Sequence, residues 1–171
     1  WVLAVLGTAY CKVGRLDEGI GMLEYWRADS QRSGRGITLD FSYSLALADG
    51  YFIKGDREGA LSNADEAFRI AMEQGSPLHE VRARRKLGEI IATTDFAMAE
   101  NHFSLSREIT RDIKARNEEG ITELSWGCAC LKNSDTGKAI EHLDKAKQIF
   151  DELRTAKYLE KANEALALLG Q

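Results

Sequence analysis

Apolar residues recur along this chain at intervals of three and four, and short polar segments interrupt the pattern. This spacing places the apolar residues on one face of an α-helix, and no segment shows the strict alternation of a β-strand. The sequence therefore predicts an all-α protein. Helices are predicted over residues 1–13, 39–54, 57–74, 79–93, 96–116, 121–132, 136–153 and 156–169. One more helix is predicted to begin near residue 16 and to fade into a polar loop at 30–36. Gly120 is predicted to mark the junction before the helix at 121–132.

A short motif returns along the chain, made of a large residue, a small one and a third side chain one helical turn later. It begins at Leu6, Leu47, Leu87 and Trp126, so the steps from 6 to 47, 47 to 87 and 87 to 126 are 41, 40 and 39 residues. A period near 40 that holds at several positions is typical of a repeat protein. We predict one repeat domain over 1–171, with antiparallel helix-turn-helix units at about 1–38, 39–78, 79–119 and 120–154 and a capping helix at 156–170.

The second helices of three units open with the same five-residue pattern, an aspartate followed four residues later by an alanine. The pairs are Asp56 and Ala60, Asp95 and Ala99, and Asp135 and Ala139. An aspartate before a helix accepts hydrogen bonds from the backbone N–H groups of the first turn, which is worth about 1 kcal/mol. The alanines are expected to be buried where the paired helices cross.

The full pattern, large-small-x-x-aromatic, then a turn glycine, then Ala-x-x-x-(Leu/Phe)-x-x-Ala, resembles the tetratricopeptide repeat. That resemblance implies a right-handed α-solenoid. The present period is longer than the family's usual repeat of about 34 residues. The family's proline after the second helix is missing from most units, and the third unit, at Thr93-Thr94-Asp95, lacks its turn glycine.

The second half of the chain is similar to the long C-terminal repeat arrays of bacterial signalling ATPases. The similar segments are 79–91, 99–103, 140–143 and 149–153. The resemblance implies a regulatory, protein-binding segment of a larger cytoplasmic signalling protein. A start within the repeat pattern and without Met also predicts a piece of something larger.

Composition narrows the classes of function. The net charge is −4, so the chain lacks the excess of positive charge that attracts nucleic acid. The sequence contains no run of about 18 apolar residues, so no membrane span is predicted. The chain has three cysteines, Cys11, Cys128 and Cys130. An odd number without the spacings of a disulfide framework predicts a reducing compartment and thiols that pack as small apolar residues.

Motifs for catalysis and cofactor binding are missing from the sequence. The segment from Asp135 to Lys138 lacks the upstream glycine of a phosphate-binding loop and is predicted to start a helix. We expect His79, His102 and His142 to be isolated surface or interface residues. The sequence therefore predicts no enzyme activity, no cofactor and no metal site.

The resemblance implies that the first helices of the units line a concave groove. Three cations of the third unit, Arg82, Arg85 and Lys86, share one helix face. They form either a seat for an acidic peptide, a carboxylate or a phosphate, or a solvated face neutralised by nearby carboxylates. The groove positions are Ala4, Val5, Thr8, Leu45, Asp49, Phe52, Arg82, Arg85, Lys86, Glu89, Leu124, Cys128 and Leu131.

The function predicted from these features is a non-catalytic scaffold that binds a protein or peptide in the groove. Some members of the family clamp a C-terminal carboxylate with an asparagine where this chain has Thr8 and Asp49, so that mode is not supported. Two alternatives stay open. One is a homodimerisation arm that uses Trp1, Trp26 or the last helix, and the other is a sensor of a small ligand or short peptide.

Overall fold

A computed structural model describes the backbone of residues 2–33 and 37–170 and the side chains of residues 5–33 and 40–169. These residues form α-helices, one short 3-10 helix and no strand, which confirms the all-α prediction. Trp1, the side chain of Ala4 and the end of the predicted loop, residues 34–36, lie outside the described residues. The helices are α1 (Val2–Lys12), α2 (Leu16–Ser33), α3 (Ile37–Lys54), α4 (Arg57–Glu73), α5 (Pro77–Ile91), α6 (Phe96–Asp112), α7 (Arg116–Lys132), α8 (Thr136–Glu152) and α9 (Ala156–Ala167), followed by the 3-10 helix Leu168–Gly170.

Two of the predicted boundaries are wrong. Helix α2 continues to Ser33, through the start of the predicted loop. Helix α6 ends at Asp112, and α7 begins at Arg116, so Gly120 lies inside α7 and not at a junction. The turn is made by the residues around Lys114, which has a φ of 56°. Gly120 lacks a side chain for a packing reason, because a Cβ there would lie 2.8 Å from side-chain atoms of Ile149 and Phe150.

The chain divides into two compact units, Trp1–Lys86 and Leu87–Gln171. In the first unit, α2 packs between α1 and α3, α3 also packs against α4, and α1 contacts α3. A buried cluster that includes Cys11, Leu23 and Leu47 fills the space among α1, α2 and α3. A second cluster joins Phe41 of α3 to residues of α4 and to Ala83 in the first part of α5.

In the second unit, α6, α7, α8 and α9 each pack against the next helix in the chain, and α9 also contacts α7. Leu143 and Phe150 of α8 form a buried cluster with Ala162 and Ala165 of α9. The opposite face of α9 is exposed and carries charged residues: Lys157, Glu160, Lys161 and Glu164.

Paired helices meet through the same kind of contact at three places along the chain. An added Cβ at Gly7, Gly88 or Gly127 would lie within 3 Å of a large side chain on the next helix, respectively Leu23, Phe103 and Leu143. Paired helices run antiparallel, as the contacts of Gly7 with Leu23 and of Gly19 with Cys11 show for α1 and α2. This packing of consecutive helices is compatible with a helical repeat. Ala60, Ala99 and Ala139 are fully buried, as predicted.

The predicted aspartate caps are present at all three helix starts. Asp56, Asp95 and Asp135 accept hydrogen bonds from backbone N–H groups three residues later, at 2.9, 2.9 and 3.1 Å. The turn before Asp95 differs because it is one residue shorter. The Asp95 N–H group donates to the carbonyl oxygen of Ile91, four residues earlier. The Asp56 N–H group instead donates to the carbonyl oxygen of Tyr51, five residues earlier. The third unit therefore closes its turn without a left-handed glycine.

The described helices also bear on the membrane prediction. None of them combines the length with the apolar composition needed to cross a bilayer.

Candidate functional site

An open cleft of about 370 Å³ lies in the first unit, where three first-of-pair helices face one another. Five predicted groove residues come together in it: Val5 and Thr8 from α1, Leu45 and Asp49 from α3, and Arg82 from α5. Their role in binding a partner stays a prediction. The remaining lining residues are Ala9, Lys12, Phe41, Ser42 and Ala46.

Helical spacing explains why these side chains share the cleft. Residues four apart lie on one face of a helix, so Phe41, Leu45 and Asp49 form a single row along α3. Phe41 and Ala46 are buried and give the cleft an apolar floor. Phe41 also stacks on the His79 ring, with centroids 4.0 Å apart. Burial, together with the charge of Arg82, lowers the pKa of His79, so this ring is neutral at pH 7 and adds no charge to the floor.

An ion pair occupies one end of this row. The Lys86 Nζ donates to Asp49 Oδ1 at 2.5 Å, and the two side chains are 15 % and 35 % exposed. The Lys86 Nζ also lies 5.9 Å from the centroid of the Phe52 ring. One alternative from the sequence analysis was that nearby carboxylates neutralise the basic face. The contact between Lys86 and Asp49 is such a neutralisation.

The predicted row of three cations is divided in the structure. Arg82 lines the cleft, Lys86 is paired with Asp49, and Arg85 is half-buried on α5 and is not among the lining residues. Glu80, a predicted neutralising residue, bonds Arg84 at 2.7 Å. The charged residues that line the cleft are Lys12, Asp49 and Arg82, and Asp49 is paired with Lys86.

The predicted groove residues of the second unit have different surroundings. Glu89 accepts a hydrogen bond from the Ser125 hydroxyl at 2.6 Å. Leu124 is 8 % exposed and belongs to the core cluster of α7, α8 and α9, so it has little surface to offer a partner. Cys128 and Leu131 are half-buried and pack against the same cluster.

The thiols behave as packing groups. Cys11 and Cys130 are buried, which confirms their predicted role, whereas Cys128 is half-buried. Burial raises the pKa of the Cys128 thiol, and it raises that of Cys130 to about 12. These two thiols therefore stay protonated at neutral pH and are poor nucleophiles.

A buried polar cluster in the second unit was missed by the sequence analysis. The His142 Nδ1 lies 2.6 Å from Glu123 Oε2, and the two side chains are 6 % and 1 % exposed. The Trp126 ring stacks on His142, with centroids 4.1 Å apart, and Arg107 lies 3.7 Å from the other Glu123 oxygen. His142 is predicted to be an isolated surface or interface residue, and the structure instead buries it beside Glu123. The spacing contained a signal, because His142 lies three residues after Ala139 and one before Leu143, on the buried face of α8.

Comparison with known proteins does not identify a family for this chain. No protein-family model matches the chain, and no curated protein shows a significant match to it. The resemblance to the tetratricopeptide repeat therefore rests on the sequence pattern described above.

Proposed function

We propose that the chain is a non-catalytic, tetratricopeptide-like scaffold that binds a short segment of another protein in the cleft of its first unit. The observation that carries this proposal is the cleft itself, to which α1, α3 and α5 each contribute side chains. Its volume of about 370 Å³ falls in the range of about 300–1,000 Å³ that is usual for ligand sites. Within a larger cytoplasmic bacterial signalling protein, such a segment would serve regulation.

The lining favours a segment that carries apolar side chains together with a charged one. Val5 and Leu45 offer apolar surface, and desolvating that surface provides a non-directional driving force for binding. Lys12, Asp49 and Arg82 are the charged residues among the lining residues, and complementary charge on a ligand increases both its association rate and its specificity.

The test is a selection of random displayed peptides on the purified chain, followed by fluorescence anisotropy on the enriched sequences. Val5→Glu is the informative variant, because Val5 lines the cleft and is 51 % exposed, so a larger polar residue is compatible with folding. Val13→Glu is the matched control, since Val13 is 72 % exposed and does not line the cleft.

We expect Val5→Glu to raise the Kd at least about tenfold, which corresponds to about 1.4 kcal/mol. Val13→Glu should leave it unchanged. Failure to enrich any peptide over an unrelated helical protein would contradict the proposal, and so would equal affinity of the Val5→Glu variant.

A further inference from the structure

A second cleft lies in the second unit, between α8 and α9, and has a volume of about 390 Å³. Leu159 of α9 is half-buried and is the apolar residue of its lining. The other lining residues are polar or charged and exposed: Asp144, Lys147, Gln148 and Asp151 of α8 and Asn163 of α9. This α8–α9 cleft is therefore open to solvent along the two helices.

The repeat spacing relates the α8–α9 cleft to a place that is occupied elsewhere in the second unit. Lys147 lies 40 residues after Arg107, from 107 to 147, and Asn163 lies 40 residues after Glu123, from 123 to 163. The side chains of Arg107 and Glu123 approach to 3.7 Å between α6 and α7. There, His142 of α8 lies 2.6 Å from Glu123. The equivalent position between α6 and α7 is thus covered by α8.

Two second-of-pair helices show the same mode of packing. Helix α8 pairs with α7 and also reaches α6, because the Lys138 Nζ donates to Glu100 Oε1 at 2.7 Å. Helix α4 pairs with α3 and also reaches α2, because an Arg27 Nη donates to Asn63 Oδ1 at 2.6 Å. Each of them therefore contacts its own first helix and the second helix of the preceding pair.

Helix α9 presents the face on which such a helix packs. Ala167 lies 40 residues after Gly127, where an added Cβ would lie 2.6 Å from the Leu143 side chain of α8. Ala48 holds the same position of the repeat motif in α3 and is fully buried. Ala167 is exposed, and among the described elements α9 packs against α7, α8 and the 3-10 helix. The contact made by the other small residues is therefore open at Ala167.

We propose that α8 and α9 form a docking site for an amphipathic helix of a partner protein, which packs there as α8 packs on α6 and α7. The partner helix carries the pattern of the second helices, Ala-x-x-x-(Leu/Phe)-x-x-Ala, and places its large apolar residue over Ala167. Docking of an apolar helix face into a groove is a recurring mode of recognition. This surface is separate from the cleft of the first unit, so the inference goes beyond the proposed function.

A second copy of the chain does not supply the required helix. In the described part of the chain, α2, α4 and α8 pack against their own first helices, and Phe103 of α6 lies against Gly88 of α5. The faces that carry the second-helix pattern are therefore engaged within each copy. A helix from a different protein is the occupant that fits.

The site is formed before the partner arrives. Ala162 and Ala165 hold α9 in the core cluster, and the Tyr158 ring stacks on Phe150 of α8, with centroids 5.1 Å apart. A surface that is already ordered reduces the entropy lost on binding, so most of the ordering falls on the incoming helix.

The probe is a capped, fluorescein-labelled peptide with the sequence of residues 135–153, which contains α8. A lactam between its Glu141 and Lys145 side chains, which form an ion pair at 2.6 Å, keeps the peptide helical. This constraint is needed because isolated helices of this length are marginal in water. The control peptide carries L143E. Fluorescence anisotropy measures the Kd for the full chain, and backbone amide shifts of the isotope-labelled chain locate the binding.

Ala167→Glu and Asn163→Arg are the informative variants, because both residues are exposed and larger polar side chains are compatible with folding. Ala97→Glu on α6 is the matched control, since Ala97 is also an exposed helical alanine. We expect each informative variant, and the L143E peptide, to raise the Kd at least about tenfold, and Ala97→Glu to leave it unchanged. The amide shifts should centre on Lys147, Leu159 and Asn163.

Three results would overturn the inference. They are no binding of the constrained peptide, an unchanged Kd in a folded Ala167→Glu protein, and amide shifts confined to the first unit. A concentration-dependent dimer of the chain alone that Ala167→Glu abolishes would also overturn it, by assigning the surface to a second copy. None of these results bears on the peptide selection at the cleft of the first unit, so the proposed function is tested separately.

Discussion

The Glu123 side chain shows how strongly a single buried group depends on its neighbours. It is 1 % exposed, and it lies between His142 of α8 and Arg107 of α6. An isolated carboxylate in such a position is very unfavourable, and partners that supply charge or hydrogen bonds reduce this cost. The cluster thus ties α6, α7 and α8 together through polar contacts.

Replacement of His142 by Gln should therefore destabilise the protein severely. Removing one partner of a buried pair typically costs about 3–5 kcal/mol, because the other charge stays buried. We expect the free energy of unfolding, measured in urea, to fall by about that amount. Adding Glu123→Gln should recover part of the loss, because the buried charge is then absent. A loss below about 0.5 kcal/mol would indicate a surface position and contradict the structure.

Glu119 provides a test of pH dependence. Burial opposes its charge, but hydrogen bonds from Arg111 and Arg116, at 2.7 and 2.9 Å, outweigh burial and lower the pKa of the carboxyl. A lowered folded pKa contributes stability above the unfolded value of about 4.3, and that stability is lost as the pH falls through the folded pKa.

Glu119→Gln should therefore lower the free energy of unfolding at neutral pH, and the difference from wild type should shrink below about pH 4. Urea unfolding curves recorded from about pH 7 to about pH 3 would measure it. A difference that stays constant over this range would show that the two arginines do not stabilise the charged form.

Within each helix pair, small residues at the crossing set how closely the helices approach. Ala99 is fully buried, and on the preceding helix an added Cβ at Gly88 would lie 2.9 Å from the Phe103 ring. Interiors packed this tightly have no room for additional methylene groups. The identity of these residues is therefore a requirement of the paired geometry.

Ala99→Leu should destabilise the protein by about 1–3 kcal/mol through overpacking. Ala97→Leu is the matched control, because Ala97 lies two residues earlier on the same helix and is exposed. Its effect should stay within about 0.5 kcal/mol. Thermal and urea unfolding of both variants, with Ala60→Leu and Ala139→Leu for comparison, would test the crossing positions. Equal effects of the Ala97 and Ala99 substitutions would contradict the assigned register.

Across the chain, helices account for most of the described residues. Far-ultraviolet circular dichroism of the purified protein should therefore show a predominantly helical spectrum, since helical backbone dominates the signal. A spectrum rich in β-structure would contradict both the sequence analysis and the fold.

Helix α9 has one buried face and one charged face. It buries Ala162 and Ala165 against its neighbours and exposes Lys157, Glu160 and Lys161. The role of α9 as a capping helix stays a prediction.

Much of this architecture follows from the sequence, because its signals are local. Helix bounds such as those of α4 follow from residues three and four apart, and the cap at Asp95 depends on a backbone group only three residues away. The burial of Ala99 also follows from its position on the apolar face of a helix. Neighbouring residues along the chain determine these features, so no knowledge of the tertiary structure is needed.

Other features depended on how the helices are rotated against one another, which one-dimensional spacing does not specify. Lys86 and Asp49 are distant in sequence and meet only because α5 and α3 present these faces to each other. The burial of His142 beside Glu123 has the same origin. Gly120 resembles a helix breaker in sequence, yet it is required for the close approach of Phe150. The elements of the fold were thus determined locally, whereas the charge of the cleft and the buried polar cluster were decided by the packing of the helices.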